Sequence, residues 1–279
     1  MTRSRPSRPE ELPRLKELWK LAFGDEDAYI DHFFTAYYTP ERVLVLEESG
    51  VVQAMTAWFD MPLVLADGTR VPSAYLYAVA THPDCRGRGM AGALLSFAGR
   101  WLKERKFDCL TTVPARPDLH GFFGRNGFEE WFVLKQWEYE PKQEEKQHAI
   151  SRVDSMGYAA VREQALKGME HTAYSPEAMD YQAGVCDLSG GGLYETGEES
   201  CACVEVAGDQ VFVKELLAPP EERNAILAAI ARAHPAGRYW VRTPWDGQGE
   251  RWEFAMIQWL TSRPDRDSGG NADLGLAFD

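Results

Sequence analysis

The sequence predicts a mixed α/β fold, of the α+β kind, with a mainly antiparallel central sheet. Two apolar runs, residues 42–47 and 51–59, are joined across Ser49-Gly50, which is typical of a β-hairpin. Further along, an apolar strand leads through a glycine-rich turn into an amphipathic helix. This order of elements recurs after residue 150, and 279 residues are enough for two domains with cores of their own.

The first domain is predicted to span residues 1–140. Ser7 and Glu10 fit a capping box, and the apolar residues that follow recur at the spacing of a helix. A second helix begins at Asp25 and carries aromatic residues at helical spacing. The elements expected after it are strands at 42–47, 51–59 and 74–79, a helix at 90–102, a strand at 109–113, a further helix and paired strands.

A second domain, residues 151–262, is predicted to follow a polar and aperiodic linker at residues 141–150. Its elements repeat the earlier order of helices, hairpin, helix and strands. They are expected as helices within 155–182, a strand at 192–196, a hairpin of 201–207 and 210–217, a helix at 221–233, and strands at 238–242 and 252–260. Residues 263–279 are predicted to form a polar tail with a short apolar end.

The most informative segment connects the strand that ends at Val79 to the helix that contains Met90 and Leu94. From His82 to Gly89 it reads His-Pro-Asp-Cys-Arg-Gly-Arg-Gly. A strand, a glycine turn and a helix in this order aim free backbone N–H groups, and the positive end of the helix dipole, at one point. The segment therefore predicts an anion site, most often a site for phosphate.

Several interpretations of these glycines compete. Gly87, Gly89 and Gly92 fit G-x-G-x-x-G, the dinucleotide fingerprint. That fold places an acidic residue after the next strand, whereas Asp108 precedes the next apolar run. A nucleoside triphosphate loop needs Gly-Lys-Ser/Thr, and Gly92 is followed by Ala93. A tight turn without a ligand is a further alternative, and the strongest interpretation rests on a second motif downstream.

Two motifs resemble those of the GNAT acyltransferases. Residues 86–91, Arg-Gly-Arg-Gly-Met-Ala, match Arg/Gln-x-x-Gly-x-Gly/Ala, the pyrophosphate loop of that family. Residues 122–128, Phe-Phe-Gly-Arg-Asn-Gly-Phe, are similar to the aromatic helix end that follows the loop in the family. The two motifs occur in the family's order, and the resemblance covers residues 2–140. It implies a GNAT fold for the first domain.

The second domain resembles a further, degenerate copy of the same fold. This arrangement is similar to that of the bacterial two-domain acetyltransferases of the enhanced-intracellular-survival type. In place of the glycine loop the second copy has Pro219, Pro220, Glu221 and Glu222. Prolines lack an N–H donor and carboxylates repel a phosphate, so this copy is expected to be structural or to shape the substrate site.

The resemblance implies transfer of an acetyl group from acetyl-CoA to the primary amine of a small molecule or peptide, by direct attack. The loop backbone would hold the pyrophosphate, and the strand end would pair with the pantetheine arm and polarise the thioester carbonyl. The implied CoA-binding residues are Val79, Ala80, Thr81, Arg86, Gly87, Arg88, Gly89, Met90, Ala91, Gly92 and Phe123.

The group that protonates the departing thiolate has to differ from the one that the family uses. Its usual tyrosine is replaced by Phe123, which has no proton to donate. The catalytic candidates are Tyr77 and Tyr75 on the strand and His120, one turn before Phe123, and water is the remaining alternative. The amine must also lose a proton. The positions considered for that base are Asp31, Asp60 and His82.

Charge narrows the range of partners. The net charge of −13, most of it in residues 141–279, argues against nucleic acid. Asp25, Asp27 and Asp31 lie on the segment that covers the acceptor side in the family, which favours a cationic acceptor. A non-catalytic acyl-CoA-binding or regulatory module is the alternative function, followed by a nicotinamide-dependent oxidoreductase. Self-association of the chain stays open.

The cysteines and the hydropathy indicate the compartment. Five cysteines form no C-x-x-C or metal-spaced set, so no metal is expected. Cys201 and Cys203 are two positions apart on an alternating strand, so both side chains face one way, and they are expected to be small buried thiols. An odd cysteine count without a leader segment suits a reducing cytoplasm. No apolar run is long enough for a membrane span, so no membrane partner is expected.

Overall fold

The computed structural model describes residues 2–141, 148–263 and 272–278. Part of the predicted linker (142–147) and part of the predicted tail (264–271 and 279) lie outside the described residues. The chain forms two compact units. The described residues of unit 1 are 2–62, 71–130 and 255–263, and those of unit 2 are 63–70, 131–141, 148–254 and 272–278.

The helices and strands follow the predicted order. The helices are α1 (Leu12–Phe23), α2 (Asp27–Ala36), α3 (Met90–Glu104), α4 (His120–Arg125), α5 (Ser155–Ala165), α6 (Pro176–Ser189) and α7 (Pro220–Ala233). The strands are β1 (Thr2–Pro6), β2 (Val43–Glu48), β3 (Val51–Asp60), β4 (Leu63–Val64), β5 (Arg70–Val71), β6 (Ser73–Thr81), β7 (Cys109–Thr112), β8 (Glu129–Tyr139), β9 (Ser151–Arg152), β10 (His171–Thr172), β11 (Gly192–Gly197), β12 (Ser200–Ala207), β13 (Gln210–Leu217), β14 (Arg238–Pro244) and β15 (Trp252–Trp259). In the described part of the chain, no helix combines the length and apolar character needed to cross a membrane.

The sheet of unit 1 has the strand order β1-β2-β3-β6-β7-β15. Its pairs are antiparallel except for β6 and β7, which run parallel and are connected through α3. A parallel pair needs such a crossover because the chain must return to the same end of the sheet. The predicted fold class, mixed α/β on a mainly antiparallel sheet, is confirmed.

The two faces of β6 pack against different helices. Leu76 is buried in a cluster with Leu94 and other apolar residues of α3. On the opposite face, the ring of Tyr77 lies 5.3 Å from Trp19 of α1 and 6.1 Å from Phe33 of α2, between ring centroids. Because side chains of a strand alternate between faces, this one strand separates the apolar core around α3 from an aromatic cluster with α1 and α2.

The start of the first helical segment differs from the predicted capping box. The Ser7 hydroxyl donates to the carbonyl oxygen of Pro40 at 3.2 Å and lies 3.1 Å from the Tyr38 hydroxyl. The capping carboxylate is that of Glu11, which accepts from the backbone N–H of Arg8 at 2.8 Å. The cap therefore lies one residue later than predicted, because Ser7 is used to hold a distant loop.

Unit 2 repeats the arrangement around the crossover. Its sheet has the order β8-β14-β13-β12-β11-β9, again with one parallel pair, β13 and β14, connected through α7. One face carries an apolar cluster with α7, and the other carries a cluster with α5 and α6. Cys201 and Cys203 are fully buried in the second cluster, as predicted for small core thiols.

The described end of the predicted polar tail, residues 272–278, is buried in unit 2. Leu274 and Leu276 have no exposed surface, and the ring of Phe278 lies 5.0 Å from that of Tyr181. Tyr174 donates a hydrogen bond to the Leu276 carbonyl oxygen. The apolar end of the chain is thus a part of the core of this unit, which composition alone left open.

A buried charge cluster lies beside this segment. Arg162 is fully buried and pairs with Glu215 at 2.9 Å and with Asp273 at 3.6 Å, and both carboxylates are buried as well. The guanidinium also donates to the Thr172 carbonyl oxygen at 2.9 Å, and the Tyr158 hydroxyl donates to Glu215 at 2.9 Å. One cation therefore faces two carboxylates in the interior of unit 2.

Candidate active site

The candidate site in unit 1 begins where β6 leaves β7. The parallel ladder runs from the pair Ser73–Cys109 to the pair Leu76–Thr112, where β7 ends. β6 continues to Thr81. Beyond residue 76, the backbone groups on that side of β6 are not used in the ladder, and they are available to an extended ligand.

A bulge lies at the fork. Between the β3–β6 pairs Ala57–Tyr77 and Met55–Ala80, β6 has one residue more than β3. Ala78, inside the bulge, has a φ of +50°, a left-handed conformation that costs an alanine about 1–2 kcal/mol. Such strain is found mostly at functional sites. The predicted backbone ligands Val79, Ala80 and Thr81 follow directly.

The predicted anion loop turns back toward the fork through two left-handed glycines. Gly87 has a φ of +75° and Gly89 a φ of +76°, and Gly89 is the residue before α3. A Cβ built on either glycine would meet no atom of the described structure within 4 Å. The first-turn N–H groups of a helix have no partner inside the helix, so those at Met90 and Ala91 can serve an anion in this open space.

The two arginines of the loop are placed differently. The Nε of Arg86 donates to the Thr81 carbonyl oxygen at 3.3 Å, which ties the loop to the end of β6. Arg88 makes a two-pronged ion pair with Glu48, at 2.7 and 3.0 Å. Glu48 thus offsets part of the positive charge at the loop, and sequence reasoning did not identify it because it lies 40 positions away.

The structure brings the second motif against the first. A Cβ on Gly92 would lie 2.9 Å from Oδ1 of Asn126, so a larger residue there would force the Asn126 side chain to shift. The Asn126 side chain in turn donates to the Phe122 carbonyl oxygen at 2.8 Å. Gly92 therefore has a packing role in addition to the ligand role proposed for it. Phe123 is 4% exposed, and its ring packs 5.5 Å from that of Phe128.

The tyrosine candidates lie on the aromatic face of β6. Tyr75 is buried, and its ring stacks 6.1 Å from that of Tyr77. Tyr77 is half-buried and directly precedes the bulge. Its hydroxyl lies 2.7 Å from the hydroxyl of Tyr29 on α2. Sequence reasoning missed Tyr29, since no pattern links a helix face to a strand 48 positions later.

The other polar candidates have partners of their own. Nδ1 of His120, at the start of α4, lies 2.8 Å from a carboxylate oxygen of Glu130. His82 precedes the loop, and its ring nitrogen accepts from the backbone N–H of Asp84 at 3.4 Å. His82 therefore caps the short turn between β6 and the loop.

The three acids of the α2 segment are also paired. Asp25 accepts a hydrogen bond from Nε1 of Trp19 at 2.7 Å. The remaining pairs, from α1 to α2, are Lys20 with Asp27 at 2.9 Å and Lys16 with Asp31 at 2.7 Å. Because lysines offset two of these carboxylates, the local charge does not single out a cationic acceptor.

The corresponding crossover of unit 2 differs at the helix start. α7 is preceded by Pro219 and begins with Pro220, Glu221 and Glu222. The two prolines remove two N–H donors that an anion would need. The carboxylates of Glu221 and Glu222 interact favourably with the positive end of the helix dipole in place of an anion. The first turn of α7 therefore needs no bound anion.

Comparison with known proteins agrees with this geometry. Residues 3–130 match the family model for an acetyltransferase (GNAT) domain. The GCN5-related N-acetyltransferase of Anabaena variabilis superimposes with a TM-score of 0.72 at 16% identity, over 94% of this chain and 73% of that chain. Eis1 from Mycobacterium abscessus gives a TM-score of 0.66 at 14% identity, over 92% of this chain and 74% of that chain. At these identities the structures show a shared fold.

A third solved structure, the GCN5-related N-acetyltransferase of Kribbella flavida, has a TM-score of 0.69 at 16% identity, over 92% of this chain and 70% of that chain. No curated protein sequence matches the chain. Residues 3–130 include the fork, the glycine loop and all of the second motif. The predicted resemblance and enzyme class are confirmed for the first part of the chain: residues 3–130 match an acetyltransferase domain of the GNAT type.

Proposed function

We propose that unit 1 transfers an acetyl group from acetyl-CoA to a primary amine of a small molecule or peptide. The observation that supports this most is the open turn at Gly87 and Gly89, between the free end of β6 and the start of α3. A pyrophosphate in the turn would leave the pantetheine arm to run along the free side of β6. The donor set is backbone, so it depends on conformation more than on side-chain identity.

The reaction follows from this placement. The amine nitrogen attacks the thioester carbonyl carbon, the carbon–sulfur bond breaks, and the sulfur leaves as a thiolate. The backbone near Val79–Thr81 would stabilise the negative charge that develops on the carbonyl oxygen. One proton must leave the amine and one must reach the sulfur.

The binding step has a direct test. We expect CoA to raise the thermal midpoint of the protein and to bind with one site per chain in calorimetry, because the helix start at Pro219 and Pro220 replaces the anion loop in unit 2. NAD should give no shift, since Asp108 is misplaced for a ribose. Two CoA sites per chain, or a shift with NAD alone, would contradict the assignment. Binding without turnover over an amine panel would instead favour the acyl-CoA-binding module.

Among the candidate acids we propose Tyr77 first, ahead of Tyr75 and His120. Tyr77 adjoins the bulge and has a hydroxyl partner in Tyr29, whereas His120 is engaged by Glu130. We expect Tyr77→Phe to lower kcat by about 100-fold, the lower end for loss of a general acid, with a smaller change in the KM for acetyl-CoA. Tyr75→Phe, on the same face of the same strand, is the matched control.

Phe123 supplies the complementary experiment. Phe123→Tyr should keep or raise kcat, because it restores a proton donor at the family's usual position. Full activity in Tyr77→Phe would remove that residue from the mechanism. Full activity in Tyr75→Phe and His120→Ala as well would leave water as the acid.

A further inference from the structure

Two elements of unit 2 present four polar side chains to one another. On α6, Gln182 and Cys186 are four positions apart and share a face of the helix. On β12, Cys203 and Glu205 are two positions apart and share a face of the strand. Both cysteines and Gln182 are fully buried, and the side chain of Glu205 is 16% exposed.

The polar atoms of these side chains converge. The two sulfur atoms are 3.5 Å apart, and donor atoms of Cys186, Cys203 and Glu205 all lie within 4.8 Å of one another. The Gln182 amide nitrogen lies 3.4 Å from Sγ of Cys186, 3.5 Å from Sγ of Cys203 and 2.8 Å from Oε1 of Glu205. In a tetrahedral zinc site with bonds of about 2.0–2.3 Å, neighbouring ligand atoms are about 3.3–3.8 Å apart. The cluster is close to that size.

The orientation of the Gln182 amide also bears on what the cluster could bind. Its Oε1 is buried and has no hydrogen-bond partner in the part of the chain that the structure describes. A half-turn of the amide exchanges the nitrogen and the oxygen and points Oε1 at the two sulfurs and the carboxylate. In that position Oε1 could accept from a thiol S–H or bind a cation.

We propose that Gln182, Cys186, Cys203 and Glu205 form a zinc site in unit 2, with two thiolates, a carboxylate and the amide oxygen as ligands. Zn²⁺ would displace one proton from each thiol to solvent. Nζ of Lys214 lies 3.9 Å from a carboxylate oxygen of Glu205. With this ammonium, the charges of the two thiolates, the carboxylate and Zn²⁺ sum to zero. The partly exposed Glu205 provides the entry side.

The spacing of the ligands explains why no sequence pattern indicated the site. The cysteines are 17 positions apart and belong to different elements, so no C-x-x-C pattern exists.

The test uses reduced full-length protein, freed of metal with a chelator and titrated with Zn²⁺ alone. We expect one Zn²⁺ per chain by competition with a chromogenic chelator, and a sulfur-to-metal charge-transfer band when Co²⁺ replaces it. Cys186→Ala and Cys203→Ala should each weaken binding by at least about 100-fold. The matched control is Cys201→Ala, which removes an equally buried thiol on the same face of β12 that lies beside Tyr158 and is not one of the converging donor atoms.

A second readout does not depend on the variants folding. In the wild-type protein, Zn²⁺ should slow alkylation of Cys186 and Cys203 by a maleimide, measured peptide by peptide, and leave Cys85 and Cys109 unchanged. Failure of the reduced protein to bind Zn²⁺, or equal binding by Cys203→Ala, would overturn the proposal. Formation of a Cys186–Cys203 disulfide in a chain that binds no Zn²⁺ when reduced would overturn it too.

Discussion

Replacing Gly89 by aspartate should abolish CoA binding while leaving the fold intact. The built Cβ at Gly89 meets no atom of the described structure within 4 Å, so the new side chain would occupy the space assigned to the pyrophosphate. A carboxylate there adds like-charge repulsion to the steric conflict. We expect the dissociation constant for CoA to rise by at least about 100-fold, or about 2.7 kcal/mol.

Gly24 offers a matched control for this variant. Its φ of +77° is nearly the same as that of Gly89, and its built Cβ is equally free of contacts in the described structure. Gly24→Asp therefore carries the same left-handed strain, about 1–2 kcal/mol, at the end of α1. Calorimetry with CoA should show normal affinity in Gly24→Asp. An equal loss in both variants would mean that strain, and not the loop, accounts for the effect.

The sequence predicted the glycine loop because all of its chemistry is local. Strand, turn and helix follow one another within residues 74–102, and the left-handed conformations of Gly87 and Gly89 need no distant partner. The element order was predictable for the same reason, since hairpins and crossovers depend on near neighbours. The fold class and the family could be inferred from such segments.

The remaining parts of the site depend on contacts between distant positions. Tyr29 reaches Tyr77 across 48 positions, and Glu48 reaches Arg88 across 40. A periodicity places each residue on a face, but it does not say which face of another element lies opposite. The burial of residues 272–278 could not be predicted for the same reason. The surface on which this apolar segment packs is formed by distant parts of the chain.

The second prediction with a large effect concerns protein stability and the buried cluster around Arg162. Arg162→Met removes the guanidinium that pairs with Glu215 and Asp273, and all three side chains are buried. Breaking a buried ion pair from one side costs about 3–5 kcal/mol because the other charge stays uncompensated. Urea denaturation should show this loss. Arg238→Met, which breaks an exposed pair with Glu138, should cost less than about 1 kcal/mol.

The pH dependence of stability separates the electrostatic effect of Arg162→Met from its effect on packing. Burial, and then the neighbouring Glu215, raises the pKa of Asp273 from 3.8 to about 7. The folded state therefore binds this proton more tightly than the unfolded state, so this carboxyl's contribution to stability falls as pH rises from about 4 to about 7. Asp273→Asn should flatten the wild-type stability curve over that range.

Without the guanidinium, ionised carboxylates are still less favourable in the interior. The deficit of Arg162→Met relative to wild type should therefore be larger at about pH 8 than at about pH 5.5, where Asp273 retains its proton. A deficit that is the same at both pH values would assign the loss to the packing of the Arg162 side chain. A deficit no larger than that of Arg238→Met would show that the cluster does not hold residues 272–278 in the core of unit 2.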